Sequence, residues 1–125
     1  MGPGGAERVM AYIANYLSLH HDVTLVTLES PAAEPFYPLA PAIKQLRLNL
    51  LGGSGRLQRF LRILYRFATI RRVARDAKPD VIVSFLDTMN ITATLACCRI
   101  APVVVSERVD PAQYSIGAFK TLLRR

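Results

Sequence analysis

Two short runs of β-branched residues constrain the fold of this chain more than any other feature. The run VIVSF at 81–85 and the run VVV at 103–105 are apolar on both faces, which is typical of parallel strands buried inside a sheet. The stretch between them, residues 88–99, is rich in small residues and predicts a helix. A strand, a helix and a second buried strand in this order predict a parallel βαβ unit.

The rest of the chain continues this alternation. Proline-rich residues 31–41 predict a loop, glycine-rich residues 52–55 break the chain, and Pro79 ends the preceding helix at Lys78. The remaining patterns predict helices at 6–19, at 56–77 and from 115 onward, and strands at 23–28 and 43–48, the latter at a sheet edge. The fold class is therefore α/β with a doubly wound parallel sheet.

Composition and length limit the kinds of protein that this chain can be. About half of the 125 residues are apolar, which is enough for one globular unit, and no apolar stretch approaches the roughly 20 residues of a membrane span. The N-terminus lacks the pattern of a signal peptide, so we expect a cytoplasmic protein. The adjacent Cys97 and Cys98 have neither disulfide nor zinc spacing and are expected to be buried helix residues.

The net charge of +7 comes from one segment, residues 56–78, which carries seven arginines and Lys78 against Asp76. A helical projection places Arg59, Arg62 and Arg66 on one face. The opposite arc is apolar and contains Phe60, Leu61, Ile63, Leu64, Phe67, Ala68 and Ile70. The polar face is either simply solvated or binds the anionic inner face of the cell membrane, where each basic residue adds about 1 kcal/mol. No aromatic stacking platform accompanies the charge, so a nucleic-acid partner is not expected.

The N-terminal sequence MGPGGAER places glycines directly before a helix, an arrangement that suits an anionic ligand. Two known phosphate-binding motifs do not fit. The dinucleotide motif needs glycine where this chain has Glu7, and the P-loop needs a Gly-Lys-Ser/Thr ending that is missing.

Three stretches resemble family 4 glycosyltransferases: GPGGAERVMAYIANYLSLHHDVTLVTL, KPDVIVSFLDTMN and VVVSERVDP. The third is similar to ISERNDP, which occurs in members that extend sugars on lipid carriers. Val109 stands where those members often carry Asn, and His20-His21 where a Gly-His pair is common.

The resemblance implies a retaining enzyme with two Rossmann-like domains, the GT-B fold. Residues 1–125 would form a single partial N-terminal, acceptor-side domain, truncated at both ends: the first central strand is missing and the donor-binding domain with its paired glutamates is absent. The implied reaction transfers a sugar from a nucleotide-sugar to a lipid-linked saccharide with retention. No cofactor or metal is expected, and the fragment alone is expected to be inactive.

Ligands of doubly wound sheets bind beyond the carboxyl ends of the strands, where residues 2–7, 86–90 and 106–111 form loops. The resemblance assigns a donor-phosphate loop to Gly4, Gly5, Glu7 and Arg8, and acceptor binding to Asp87, Asn90, Glu107 and Arg108. Catalytic residues are not identified. Simpler roles compete with these: Asp87 and Asp110 could cap local structure, and Glu7 could complement the helix dipole.

Two other functions remain open at this point. One is a non-catalytic basic α/β module, a gene remnant that binds a membrane or a partner protein. The other is a different sugar-nucleotide enzyme of similar fold, such as a 2-epimerase.

The missing strand also has a consequence for stability. Without it, strands 23–28 and 80–85 lose their shared neighbour, and each unpaired buried backbone group costs about 1–3 kcal/mol. We expect the isolated chain to be marginally stable, rearranged or strand-swapped, and a cooperative thermal transition by a monomer would contradict this expectation.

Overall fold

The computed structural model describes residues 4–32, 34–50 and 56–107, and its elements alternate as the sequence predicts. They are α1 Gly5–Leu17, β1 Thr24–Thr27, β2 Lys44–Arg47, α2 Arg56–Ala77, β3 Ile82–Phe85, α3 Asp87–Cys97 and β4 Val103–Ser106. The predicted α/β class with parallel strand pairing is confirmed. The helix predicted from residue 115 onward lies outside the described residues. The chain divides into two compact units, Met1–Arg59 and Phe60–Arg125.

In the first unit, β1 and β2 pair in parallel, with Thr24 opposite Lys44 and Thr27 opposite Arg47. The proline-rich loop joins them. Proline lacks the backbone N–H that a helix interior needs, which explains why this connection is irregular.

The core of the first unit lies between α1 and the β1–β2 pair. Ala11 and Ala14 of α1 form a buried cluster with Leu25 and Ile43. Partly buried side chains surround it: Met10, Val23, Tyr37, Leu39 and Ala40. Three of these, Tyr37, Leu39 and Ala40, come from the proline-rich loop, so that loop is part of the core.

One side chain of α1 anchors the same loop. The Asn15 amide Nδ2 donates to the carbonyl of Pro38 at 3.0 Å, and its Oδ1 accepts from the backbone N–H of Ala40 at 2.8 Å. A single amide thus satisfies two backbone groups that have no partner in a strand or helix.

In the second unit, β3 and β4 pair in parallel, with Ile82 opposite Val103 and Phe85 opposite Ser106. Helix α3 packs on both strands and buries Ala93, Ala96 and Cys97. The expectation that both strands are buried on both faces is wrong for the described residues. Val81, Val83, Val104 and Val105 are exposed, and Ser84 is the buried residue of β3. Each strand has a single strand neighbour in the described sheet, which leaves much of its surface open.

Helix α2 has the predicted bounds, and Lys78 explains its end. Lys78 takes a left-handed conformation with φ 47° directly before Pro79, which disfavours a right-handed helical residue in front of it. In the last third of the helix, Arg71 Nη1 donates to the carbonyl of Ala96 at 2.6 Å. This bond places a positive charge at the negative end of the α3 dipole.

The buried face of α2 differs from the predicted one. Ile70 and Ala74 are buried, as the projection requires for Ile70, but Leu61, Ile63 and Leu64 are exposed. Arg62 and Arg66 are half-buried instead of lying on the most exposed side. The projection was centred on the apolar residues near the start of α2, whereas the buried residues Ile70 and Ala74 and the Arg71–Ala96 hydrogen bond lie in its second half.

The two cysteines also differ from each other, since Cys97 is buried and Cys98 is exposed. Burial raises the pKa of the Cys97 thiol, although the nearby charge of Arg71 opposes the effect. We expect iodoacetamide at neutral pH to alkylate Cys98 alone in the native protein, and Cys97 only after unfolding in urea. A Cys98→Ser variant provides the control and should remain unlabelled while folded; native labelling of that variant would contradict the burial of Cys97.

Candidate functional site

The glycine loop begins α1 without a side-chain cap. Gly4 is the N-cap residue, with φ −82° and ψ 156°, and its carbonyl accepts from the N–H of Arg8 at 3.1 Å. The backbone N–H groups of the first turn therefore have no carbonyl partner inside the helix. Together with the positive end of the helix dipole, they form an electropositive surface that favours anions.

Neither glycine is required by the backbone of this loop. The φ of Gly4 is accessible to any residue, and Gly5 is helical. A Cβ added at Gly5 would meet no atom within 4 Å. The fold alone therefore does not explain Gly5, whereas close approach of a ligand to the backbone would.

The side chains of Glu7 and Arg8 have different neighbours: Glu7 lies beside Gly4, and Arg8 lies near Tyr12. The Glu7 carboxylate lies beside Gly4, because a Cβ added at Gly4 would collide with it. Glu7 thus places a negative charge at the N-terminus of α1, consistent with the predicted dipole interaction. The Arg8 guanidinium lies 5.8 Å from the centre of the Tyr12 ring, within the range of a cation–π contact.

Tyr37 connects this loop to the core and was not identified from the sequence. Its hydroxyl donates to the carbonyl of Gly4 at 3.4 Å, and its ring packs against the core cluster. Phe36 contacts the Tyr37 ring edge-on, with ring centres 5.1 Å apart. The only sequence signal was an aromatic pair among prolines, which pattern analysis treats as an ordinary loop.

The second group of predicted residues lies where β3 leads into α3. Leu86 joins the two elements with φ 72° and ψ 141°, a conformation that is costly for a residue with a side chain. It is the N-cap of α3, and its carbonyl accepts from the N–H of Asn90 at 2.8 Å. Asp87 is the first residue of the helix and Leu86 is its N-cap, so the alternative role of Asp87 as a cap is not the one the structure shows.

Asn90 links the first turn of α3 to the end of β4. The residue is 6% exposed, and its Nδ2 donates to the carbonyl of Ser106, the last residue of β4, at 3.3 Å. Glu107 follows directly and is exposed. Arg108, like Asp110, lies outside the described residues.

Three oxygens near this junction are buried without a hydrogen-bond partner: Ser84 Oγ, Asp87 Oδ1 and Asn90 Oδ1. A buried polar atom left unsatisfied costs about 1–3 kcal/mol. Native proteins keep few such atoms, and the exceptions call for a water or a ligand. The sequence predicted Asp87 and Asn90 as site residues but not Ser84, because a serine within an apolar strand gives no distinguishing pattern.

The predicted membrane residues are Arg59, Arg62 and Arg66. Arg62 and Arg66 are half-buried in α2, and the side chain of Arg59 lies outside the described part of the chain. The more exposed side of the helix carries a set of apolar residues followed by two arginines: Leu61, Leu64, Tyr65, Ala68, Arg72 and Arg75.

None of the three described helices has the length and hydrophobicity needed to cross a bilayer. Residues 4–32, 34–50 and 56–107 contain no cluster of His, Cys, Asp or Glu side chains that could hold a metal ion.

In each unit a helix packs on a pair of parallel strands, and in the second unit Asn90 and Glu107 lie at the carboxyl end of β4. The chain belongs to Glycosyltransferase Family 4, whose family model matches residues 3–124. The family membership and the α/β fold expected from the sequence are thereby confirmed.

A curated relative is similar along nearly the whole chain. It is the GalNAc-alpha-(1->4)-GalNAc-alpha-(1->3)-diNAcBac-PP-undecaprenol alpha-1,4-N-acetyl-D-galactosaminyltransferase of Campylobacter jejuni, 30% identical over 125 residues. The match covers 99% of this chain and 34% of the relative. The chain therefore spans about a third of that relative's length.

Proposed function

We propose that this chain provides the acceptor-side domain of an enzyme that transfers a sugar from a nucleotide-sugar to a lipid-linked saccharide, with retention of configuration. Family membership supports the glycosyl transfer, and the name of the relative, which acts on an undecaprenol-linked saccharide, supports the acceptor class. The observation that carries the proposal is Gly5 at the uncapped N-terminus of α1, a glycine that the fold itself does not require.

In this proposal, Gly4 and Gly5 let the donor phosphates approach the first turn of α1. Negative charge develops on the leaving nucleoside diphosphate, and free N–H groups together with the helix dipole stabilise it. Because the Glu7 carboxylate lies beside Gly4, it would turn away from the phosphate or accept a hydrogen bond from a sugar hydroxyl. Arg8, held near Tyr12, would add positive charge beside the first turn of α1.

The residues at the ends of β3 and β4 would bind the acceptor. Asp87 and Asn90 have unpaired oxygens at the junction, and Glu107 follows β4 directly. Arg108 completes the proposed set by its sequence position. Carboxylate and amide oxygens accept hydrogen bonds from sugar hydroxyls, whereas an arginine suits a phosphate of the lipid carrier.

The test is to incubate the full-length protein with a panel of nucleotide-sugars and lipid-linked saccharides. We expect a product longer by one sugar, with the anomeric configuration of the donor preserved in its NMR spectrum, and an unchanged rate in EDTA. Absence of transfer with every pair would favour the non-catalytic module. Epimerised donor without transfer would favour a 2-epimerase.

We further propose that the protein works at the cytoplasmic membrane surface, where a lipid-linked acceptor resides. Leu61, Leu64 and Tyr65 are exposed on one side of α2, and Arg72 and Arg75 continue that side. Apolar side chains followed by basic ones suit the boundary between acyl chains and anionic headgroups. Arg72 forms only an exposed 3.9 Å ion pair with Asp76, which contributes little and leaves the arginine able to bind lipid.

We expect Arg72→Gln with Arg75→Gln to weaken binding to phosphatidylserine vesicles about 30-fold at low salt, since each basic residue contributes about 1 kcal/mol. Vesicle sedimentation measures the effect. The comparison variant changes Arg59, Arg62 and Arg66 to Gln, the set predicted from the sequence, and should weaken sedimentation less, because Arg62 and Arg66 are half-buried. Unchanged binding by both variants would remove the membrane proposal and leave the transferase proposal intact.

A further inference from the structure

The Tyr37 hydroxyl contacts a carbonyl that belongs to the glycine loop. It donates to the Gly4 oxygen at 3.4 Å, and the same oxygen accepts from the N–H of Arg8 at 3.1 Å. A carbonyl oxygen has two lone pairs, so both acceptor positions of Gly4 are used. Two groups therefore determine the orientation of this carbonyl, one in α1 and one in the proline-rich loop.

The orientation of the Gly4 carbonyl determines that of the Gly5 N–H. Both belong to one planar trans peptide unit, in which the C=O and N–H bonds point in opposite directions. Glycine on both sides of this unit removes the Cβ atoms that would restrict its rotation, so the backbone itself holds it weakly. A hydrogen bond to the carbonyl supplies the missing restraint. It also polarises the amide, which makes the N–H a stronger donor.

Tyr37 is itself held in place on two sides. Its ring packs against the core cluster of the first unit and contacts Phe36 edge-on. The backbone that follows it is anchored to α1, because the Asn15 amide bonds the Pro38 carbonyl at 3.0 Å and the Ala40 N–H at 2.8 Å. The hydroxyl is therefore presented at a defined position beside the glycine loop.

We propose that Tyr37 is a positioning residue for the donor phosphates: its hydroxyl holds the Gly4–Gly5 peptide so that the Gly5 N–H points at them. This inference rests on the proposed function. It adds a residue outside the glycine loop that sets the strength of anion binding there. Tyr37 acts through the peptide unit and does not touch the ligand.

The decisive variant is Tyr37→Phe, because it removes the hydroxyl and keeps the ring in the core. The Gly4 carbonyl would still accept from the Arg8 N–H, so the Tm should change by less than about 2 °C. The affinity for inorganic pyrophosphate should fall about fivefold, the value of one neutral hydrogen bond. Tyr16→Phe is the matched control: it removes the same atom from an exposed side chain of α1 and should bind pyrophosphate like the wild type.

The measurement is an NMR titration of the full-length protein, labelled with ¹⁵N-glycine, with inorganic pyrophosphate. The Gly5 signal is identified by its loss in Gly5→Ala. We expect pyrophosphate to shift this signal in the wild type, and Tyr37→Phe to move it before any ligand is added. Three results would each overturn the inference: no Gly5 shift with pyrophosphate in the wild type, wild-type affinity in Tyr37→Phe, or a Tm loss above about 4 °C in that variant, which would indicate a structural role.

The titration contains no nucleotide-sugar, so it is independent of turnover. Weaker pyrophosphate binding in Tyr37→Phe, with no sugar transfer by the wild type, would remove the proposed function and keep the role of Tyr37 at an anion site. An active enzyme whose Tyr37→Phe variant keeps wild-type pyrophosphate affinity would do the reverse. In an active enzyme, Tyr37→Phe should also lower the kcat/KM for the nucleotide-sugar about fivefold and leave the KM of the lipid-linked acceptor unchanged, because the peptide contacts the leaving group alone.

Discussion

Replacing Gly5 with alanine should leave the fold intact and lower the kcat/KM of sugar transfer about 100-fold. Space around Gly5 is open, and alanine favours a helix more than glycine by up to about 1 kcal/mol, so stability should hold or rise. The added methyl group would stand between the backbone N–H groups and the donor phosphate. A loss of this size is typical of removing one donor that stabilises a transition-state charge.

Transfer kinetics and thermal unfolding of the full-length protein measure the two effects separately. Tyr16→Ala, an exposed position on the same helix, is the control and should keep both wild-type activity and wild-type stability. Full activity in Gly5→Ala would show that the glycine pair does not contact the donor, and the proposed role of this loop would then be wrong.

The second large effect concerns two isoleucines in opposite environments. Ile43 is 5% exposed within the core cluster of the first unit, whereas Ile63 in α2 is 56% exposed. Ile43→Ala should lower the free energy of unfolding by about 3 kcal/mol, since it removes buried methyl groups and leaves a cavity. Ile63→Ala should change it by less than about 0.5 kcal/mol, because the residue is exposed and alanine is the better helix former.

Urea denaturation of both variants measures the difference, and the identical substitution makes them matched. Similar losses in the two variants would show that the start of α2 is buried, as the helical projection predicted. The comparison requires that the wild type and the two variants have similar slopes of unfolding free energy against urea concentration.

The order of helices and strands was predictable because it depends on local periodicity and on proline and glycine positions. Helix α2 even has the predicted bounds, since Pro79 and the left-handed Lys78 end it sharply. Strands β1 and β2 are shorter than predicted. Residues 23 and 28 flank β1 and accept backbone hydrogen bonds from the segment around β2. Backbone pairing therefore continues one residue beyond each end of β1.

Burial was less predictable, because it depends on which elements pack together. The valines of 81–83 and 103–105 suit a covered sheet, yet Val83 and Val104 are exposed. In α2, Leu61 and Leu64 were expected on the buried face and are exposed. Periodicity identifies an apolar arc but does not show where along a helix its packing partner lies.

The candidate site was predictable only where strand ends and glycines reveal it. Sheet topology pointed to Asp87 and Asn90, and the glycine-rich start of a helix pointed to Gly4 and Gly5; the binding roles of all four stay predictions. Ser84 and Tyr37 were not predictable, because they are distinguished by contacts between segments distant in sequence or by a hydroxyl buried without a partner. Asp87 shows the opposite error, since its position suggested a cap that the helix does not use.

The bond from Tyr37 to Gly4 has a spectroscopic consequence. The chain contains no tryptophan, so its near-ultraviolet emission comes from five tyrosines. Tyr37 is half-buried, and its hydroxyl donates directly to the carbonyl of the glycine loop. A ligand that displaces Gly4 would change the surroundings of this ring, so the intrinsic fluorescence of the protein offers a label-free readout of events at the start of α1.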